Sequence, residues 1–145
     1  MIFPIHDLLS REKCQAWLEE HFHPDGMECV HCQASLDKAR PFRQTRESQL
    51  TVYRCQQCQG IYNLYSGTVF EQAHFSPEQL VLLLRGIFQG VPTTRLAEEL
   101  NLSYKTALKW RHRVQAQAET YLQNVPLPDD VVEVDEMFQT AGEKR

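Results

Sequence analysis

Two cysteine pairs with the spacing C-x-x-C constrain the fold of this chain more than any other feature. The first pair is Cys29 and Cys32, and the second is Cys55 and Cys58. Each such turn points two thiolates at one ion, and two turns together complete a closed tetrahedral set of four sulfurs. The chain holds five cysteines, and an odd number disfavours a disulfide framework. The spacing therefore predicts a structural metal site with no open position for catalysis.

Zinc is the ion that this ligand set favours, and two alternatives stay open. A rubredoxin-type iron site uses the same four thiolates, and a thioredoxin-like redox pair uses a single C-x-x-C turn. Cys14 is expected to be a small buried thiol on the apolar face of a helix over residues 10–22. His21, His23 and His31 could replace a ligand, but four sulfurs already fill the tetrahedron. Surface positions or local hydrogen bonds are therefore predicted for these histidines.

Segments rich in β-forming residues surround the second cysteine pair. Residues 51–54 precede it, residues 61–65 follow it, and Gly60 supplies the turn between them. Residues 25–72 are therefore predicted to form a zinc ribbon, preceded by a helical segment over residues 1–24.

Helix signals dominate residues 73–124. Ser76, Pro77 and Gln79 are typical of a helix start, and that helix should end near Gly90. A short helix over 93–100 and a tight turn at 101–102 should follow, and Ser103 should cap a third helix from Tyr104 to about Gln123. The inward stripe predicted for this third helix consists of Ala107, Trp110, Val114, Ala118 and Tyr121. This succession is typical of a helix-turn-helix, whose second helix enters the major groove of DNA.

The charge distribution supports a nucleic-acid partner for the middle of the chain. The formal net charge is −4, yet residues 31–118 hold eleven basic and six acidic residues. We assign Tyr104, Lys105, Thr106 and Lys109 to the DNA-binding start of the third helix, with Arg111 and Arg113 further along against the DNA backbone. The alternative is an ordinary three-helix bundle with a solvated basic face. Arg40, Arg43 and Arg46, placed in the loop between the cysteine pairs, either add phosphate contacts or are solvated.

The last segment differs in character from the rest. Residues 125–130 have the composition of a linker. Residues 131–138 are rich in β-forming residues, and the strand that they predict would place Asp135 near its end. On the residues alone, Asp135 is one more solvated acid in an acidic tail.

The order of these parts resembles the N-terminal part of bacterial insertion-sequence transposases, which carry a zinc ribbon, a helix-turn-helix and an RNase H-like DDE domain. The resemblance covers nearly the whole chain. The matching residues are Pro24-Asp25-Gly26, Cys29 with Cys32, Tyr53-Arg54-Cys55 with Cys58, Ser66-Gly67-Thr68-Val69-Phe70, Leu96-Ala97, Ser103-Tyr104-Lys105-Thr106-Ala107 and Val134-Asp135-Glu136. One departure is Gln33, which stands where zinc knuckles often have glycine.

The resemblance implies an α+β fold in which a small zinc-ribbon β module precedes a helix-turn-helix module and the first strand of a truncated RNase H-like domain. It also implies DNA transposition in which carboxylates hold Mg²⁺ ions, with Asp135 as the first catalytic carboxylate. The further acidic ligands lie far downstream in such transposases, and here ten residues follow Asp135. Residues 125–145 are therefore expected to be a linker and a catalytic stub, and Mg²⁺ would bind only with the complete catalytic domain.

The expected activity is recognition of double-stranded DNA at the terminal repeats of the element, without strand transfer. Two other functions compete: a stand-alone DNA-binding regulator, and an RNA- or protein-binding zinc ribbon whose helices dimerise. A homo-oligomer is left open, because transposases of this kind usually act as multimers. No run approaches the roughly 20 apolar residues of a membrane span, and residues 1–10 lack the pattern of a signal peptide. A cytoplasmic location is therefore expected.

Overall fold

The computed structural model describes residues 10–123, with side chains described as far as residue 120. These residues form four helices and a three-stranded antiparallel sheet, which confirms the mixed α+β class. In chain order the elements are α1 (Arg11–Phe22), a short 3-10 turn (Leu36–Lys38), β1 (Ala39–Gln44), β2 (Thr51–Cys55), β3 (Ile61–Tyr62), α2 (Pro77–Phe88), α3 (Thr93–Glu99) and α4 (Tyr104–Gln123). The strand predicted over residues 131–138 lies outside the described residues.

The sheet has the order β1-β2-β3, with β2 in the centre. Strand β1 was not expected: the prediction that Arg40 and Arg43 lie in a loop is wrong, whereas Arg46 does lie in the turn after the strand. Pro41 makes this strand hard to predict from the sequence. Proline has no N–H to donate within a central strand and is tolerated only at edge strands and bulges. β1 is an edge strand with an irregular register between Pro41 and Arg43.

Strand β3 is shorter than predicted. It contains only Ile61 and Tyr62, and the chain then turns at Asn63. The side-chain amide oxygen of Asn63 accepts from the N–H of Tyr65 at 2.9 Å, and the hydroxyl of Ser66 accepts from the N–H of Asn63 at 2.9 Å. Such local bonds compete with a strand ladder, so residues 63–65 leave the sheet and direct Tyr65 into the core.

The helix starts follow their capping residues. Ser10 accepts from the N–H of Lys13 at 3.3 Å, and Ser76 forms a full capping box with Gln79. Ser103 accepts from the N–H of Thr106 at 3.1 Å. Each of these side chains satisfies an N–H that the helix itself leaves unpaired. The helices predicted at 76–90, 93–100 and 104–123 are confirmed to within two residues at each end.

A single hydrophobic cluster draws on all four helices and on the segments around the sheet. It includes Leu18 of α1, Leu83 of α2, Leu96 of α3 and Trp110 of α4. The division of the chain near residue 72 stays a prediction, and this cluster has members on both sides of it.

The inward stripe of α4 is confirmed only in its first half. Ala107, Trp110 and Val114 are buried, but Ala118 is exposed. All residues from 115 to 120 are exposed, so the second half of α4 extends past the core. Tyr121 lies beyond the described side chains.

Gly86 allows α2 and α3 to approach closely. A Cβ at this position would lie 2.4 Å from Cδ1 of Leu96, whose side chain is 2% exposed. Alanine normally stabilises a helix interior by about 1 kcal/mol relative to glycine, but overpacking a core costs about 1–3 kcal/mol. We therefore expect Gly86→Ala to lower the free energy of unfolding by up to about 2 kcal/mol in denaturant titrations.

The control for Gly86→Ala is the same change in a Leu96→Ala background. There the clash is absent, so the alanine should raise stability relative to Leu96→Ala alone. A stabilising effect of Gly86→Ala in the native sequence would contradict the close approach.

Candidate functional site

The two cysteine turns have the same backbone geometry. In the first, Gln33 donates its N–H to the carbonyl of Cys29 at 2.8 Å, and in the second Gln59 donates to Cys55 at 3.1 Å. Both glutamines adopt positive φ, 59° and 63°. Glycine is the usual residue for this conformation, yet Gln33 completes its turn as a glycine would. The departure from the glycine pattern therefore leaves the turn geometry intact.

The four cysteine sulfurs converge on one point. The Sγ atoms of Cys29 and Cys58 lie 3.5 Å apart, and those of Cys32 and Cys55 lie 3.6 Å apart. All four sulfurs lie within 4.8 Å of one another. A tetrahedral ion with metal–sulfur bonds of about 2.3 Å requires sulfur–sulfur separations of about 3.8 Å. The donor set therefore fits a metal ion, and its four cysteines are those that the sequence predicts.

Backbone N–H groups point at the sulfurs of the second turn. Gln57 donates to Sγ of Cys55 and Gly60 donates to Sγ of Cys58, each at 3.4 Å. The N–H of Cys58, followed by that of Gln57, lowers the pKa of Cys55 to about 7, because these bonds favour the thiolate. The deprotonated form is the one that binds metals.

The environment of the site is asymmetric. Cys29 and Cys55 are each 1% exposed, and they pack with Ala34 and Tyr62 in a small apolar cluster. Cys32 and Cys58 face solvent. An ion bound by all four sulfurs has no position left for a substrate, so the arrangement suits a structural role.

The histidines and the fifth cysteine lie apart from the sulfur cluster. A ring nitrogen of His21 lies 2.8 Å from the carbonyl oxygen of Trp17, and one of His23 lies 2.8 Å from that of Leu64, which confirms the predicted local bonds. Cys14 is buried as predicted, and burial raises the pKa of its thiol.

The exposed His31 has a different contact. Its ring lies against Gly60 in the second turn, so closely that a Cβ there would come within 2.3 Å of it. Gly60 therefore leaves room for the His31 ring, whereas the positive φ of this turn belongs to Gln59.

The first turns of α4 expose three of the four residues that we assigned to DNA. Tyr104 is 50% exposed, and Lys105 and Lys109 are exposed. Thr106 is half-buried, and its hydroxyl lies 2.7 Å from that of Ser103. The structure thus leaves an aromatic ring and two ammonium groups open to solvent along the start of this helix.

The two arginines further along α4 have different surroundings. Arg113 is exposed, and its guanidinium lies 4.8 Å from the ring centroid of Trp110. Arg111 is half-buried and donates to the backbone carbonyl of Val91, ahead of α3. It therefore joins α4 to the α2–α3 connection, a role that the basic pattern of the sequence does not reveal. Asp135 lies outside the described residues.

The sheet holds a basic residue that the sequence analysis did not single out. Arg54 pairs with Arg40 across β1 and β2, and its guanidinium lies 3.9 Å from the ring centroid of Phe42. The position of Arg54 opposite Arg40 follows from the pairing of β1 with β2. Pro41 makes that pairing hard to predict from the sequence.

Comparisons with known proteins give no relative for this chain. No family model matches it, and neither a curated protein nor a solved structure does. Within residues 10–123, no helix is both long enough and apolar enough to cross a membrane.

Proposed function

We propose that the protein binds double-stranded DNA through a helix-turn-helix and is the DNA-binding N-terminal portion of an insertion-sequence transposase. The observation that carries the DNA-binding proposal is the unit formed by α3, a four-residue connection over 100–103, and α4 with its exposed basic start. In a helix-turn-helix, the second helix lies in the major groove with its N-terminal residues at the base edges.

The packing of the two helices supports this assignment. Leu96 and Ala97 of α3 and Ala107 of α4 are buried, and Asn101 between the helices has a φ of 53°. Small residues at positions 97 and 107 let the helices cross closely, and the left-handed residue reverses the chain within a short connection. The apolar sides of both helices are therefore buried in the core. The basic side of α4 stays exposed and is available to bind a partner.

In this proposal the cysteine cluster is a zinc ribbon with a structural ion. Cys29, Cys32, Cys55 and Cys58 would hold Zn²⁺, which would join the turn before β1 to the turn after β2. Zinc supplies binding free energy that becomes folding free energy in small modules of this kind. The ion thus fixes the sheet, and the helices carry the recognition.

The transposase part of the proposal rests on the order of zinc ribbon, helix-turn-helix and the run that contains Asp135. This residue is proposed as the first carboxylate of a Mg²⁺ site, completed by acidic residues of a downstream RNase H-like domain. The DNA downstream of the codon for Arg145 tests this directly. A continuation that encodes further spaced Asp and Glu residues supports it, and a sequence without them removes Asp135 from any catalytic site.

A stand-alone DNA-binding regulator is the second candidate. The observation that favours it is that the cysteine set is the only group suited to hold a metal ion within residues 10–123. The two candidates differ in their DNA targets: a transposase should prefer inverted repeats that flank its own gene on both sides, and a regulator should prefer one upstream site.

The test of DNA binding by α4 is the double variant Lys105→Gln/Lys109→Gln. Both side chains are exposed, so the fold should be kept, and each lost base or phosphate contact costs about 1–3 kcal/mol. We expect a loss of affinity of about 30-fold or more for duplexes from the gene flanks, because two contacts of at least about 1 kcal/mol each are removed; fluorescence anisotropy measures it. The preference over random duplex should fall as well.

Lys13→Gln is the control for the loss of one positive charge elsewhere, because Lys13 is exposed on α1, outside the proposed DNA-binding surface. It should leave the preference for the flanking repeats unchanged. If the α4 double variant binds flanking and random duplexes as the native protein does, α4 is not the recognition helix.

A further inference from the structure

The solvent side of the sheet carries three arginines around one aromatic ring. We call the set of Arg40, Arg43, Arg54 and Phe42 the arginine face. Arg40 and Arg54 are direct partners in the antiparallel register, and Phe42 is 45% exposed. The guanidinium of Arg54 lies 3.9 Å from the centroid of the Phe42 ring, and that of Arg43 lies 5.9 Å from it. These strands therefore concentrate positive charge on one small surface.

Within the described part of the chain, no acidic side chain forms an ion pair with this surface. Among residues 10–120, ion pairs involve Arg11, Arg95 and His74, and none involves a member of the arginine face. Like charges directly opposite each other across two strands are destabilising. An anion placed between Arg40 and Arg54 would turn this repulsion into attraction.

A concavity beside the cross-strand pair provides room for such an anion. Its volume is about 330 Å³, and it is lined by Arg40, Arg54, Cys55, Gln56 and Gln59.

 Among residues 10–120, no carboxylate lines this concavity, and two glutamine side-chain amides do. The amide of Gln59 donates to the carbonyl of Gln56 at 3.2 Å and keeps a second N–H. The lining thus suits a phosphate group.

We propose that the arginine face binds the phosphodiester backbone of the same double-stranded DNA that α4 reads. This inference rests on the proposed function, since it adds a second contact surface to a DNA-binding protein. Guanidinium groups match phosphate oxygens with two parallel hydrogen bonds, which lysine cannot do. Backbone contacts of this kind position a protein on DNA and add affinity that does not depend on sequence.

The stacking of Arg54 on Phe42 favours duplex DNA over single strands. Proteins that bind single strands offer aromatic rings on which bases stack. Here one face of the Phe42 ring is already covered by a guanidinium at 3.9 Å. The ring therefore holds an arginine in place, and the charge of that arginine, rather than the ring, meets the nucleic acid.

The competing explanation is that the arginines serve the metal site. A divalent ion bound by four thiolates carries a net charge of about −2, and Cys55 lines the same concavity as Arg40 and Arg54. In that case, removing the arginines would weaken metal binding and leave DNA binding unchanged. Arg43 does not line the concavity, so it separates the two explanations.

The test compares Arg40→Gln/Arg54→Gln, Arg43→Gln and the control Lys13→Gln with the native protein. Affinity for one duplex is measured by fluorescence anisotropy over a range of salt concentrations, and metal content is measured on each sample. Each lost phosphate contact should reduce the slope of log affinity against log salt by about 0.9. We expect a reduction of about 2 for the double variant, about 1 for Arg43→Gln and none for Lys13→Gln.

The loss should be the same for flanking and random duplexes, whereas the α4 double variant should also lose the preference between them. Unchanged slopes in both arginine variants overturn the inference and leave the proposed function standing if the α4 variant is weakened. If the double variant loses its metal, Arg43→Gln decides: a slope reduced by about 1 supports the inference, and an unchanged slope overturns it. A native protein that binds no duplex overturns both the inference and the proposed function.

Discussion

Removal of the metal ion proposed for the cysteine cluster is expected to unfold the sheet while the helical core stays in place. The small apolar cluster around the cysteines consists of four buried residues, and two of them, Cys29 and Cys55, are themselves proposed ligands. Structural zinc sites contribute about 10–16 kcal/mol of apparent binding free energy, far more than so small a cluster supplies. The larger cluster around Trp110 joins all four helices and has no cysteine of the metal site among its members.

The measurement uses a strong chelator and two local probes. Amide hydrogen exchange of Tyr53 and Arg54 reports on β2, and the emission of Trp17 and Trp110, both buried in the larger cluster, reports on the helices. We expect rapid exchange in β2 without a matching red shift of the tryptophan emission. Metal analysis before chelation should give about one zinc per chain, and an iron site would be coloured instead.

Two cysteine variants serve as matched controls for the metal. Cys55→Ser removes a ligand and should abolish metal binding, whereas Cys14→Ser changes a buried thiol outside the site and should keep the metal content. Protection of β2 that persists in the metal-free protein would show that the sheet folds without the ion.

The sequence was sufficient to predict the four-cysteine cluster because its members are local pairs. Each C-x-x-C turn sets two sulfurs through its own backbone, so only the meeting of the two turns depends on the rest of the fold. The helix starts were equally predictable, because Ser76 and Ser103 bond to N–H groups three residues further along.

Contacts between distant segments could not be read from the sequence in the same way. Strand β1 exists because it pairs with β2, and its own residues, with Pro41 among them, do not favour a strand. The bond from Arg111 to Val91 likewise spans 20 positions. In both cases tertiary structure decides the role of an arginine that looks like any other basic residue in the sequence.

We expect Trp110→Ala to be the most destabilising single substitution in α4. The indole is 6% exposed, stacks on Phe70 at 5.5 Å between centroids and meets the edge of Phe75 at 5.4 Å. Replacing a buried tryptophan by alanine costs about 3–5 kcal/mol, which is a large share of the stability of a typical domain. Trp110→Phe keeps an aromatic ring in contact and should cost less than half as much in denaturant titrations.

Tyr104→Ala is the control for Trp110→Ala, because it removes an aromatic ring from the exposed side of the same helix. Surface substitutions usually change stability by no more than about 0.5 kcal/mol, so this variant should unfold at nearly the native denaturant concentration. Its affinity for DNA should nevertheless fall if Tyr104 contacts the major groove. Trp110→Phe should show the opposite combination. Its free energy of unfolding should be lower than that of the native protein, but its affinity for DNA should be unchanged under conditions where the variant is folded. If both variants lost stability and affinity in proportion, the apparent role of α4 in DNA binding would reflect folding alone.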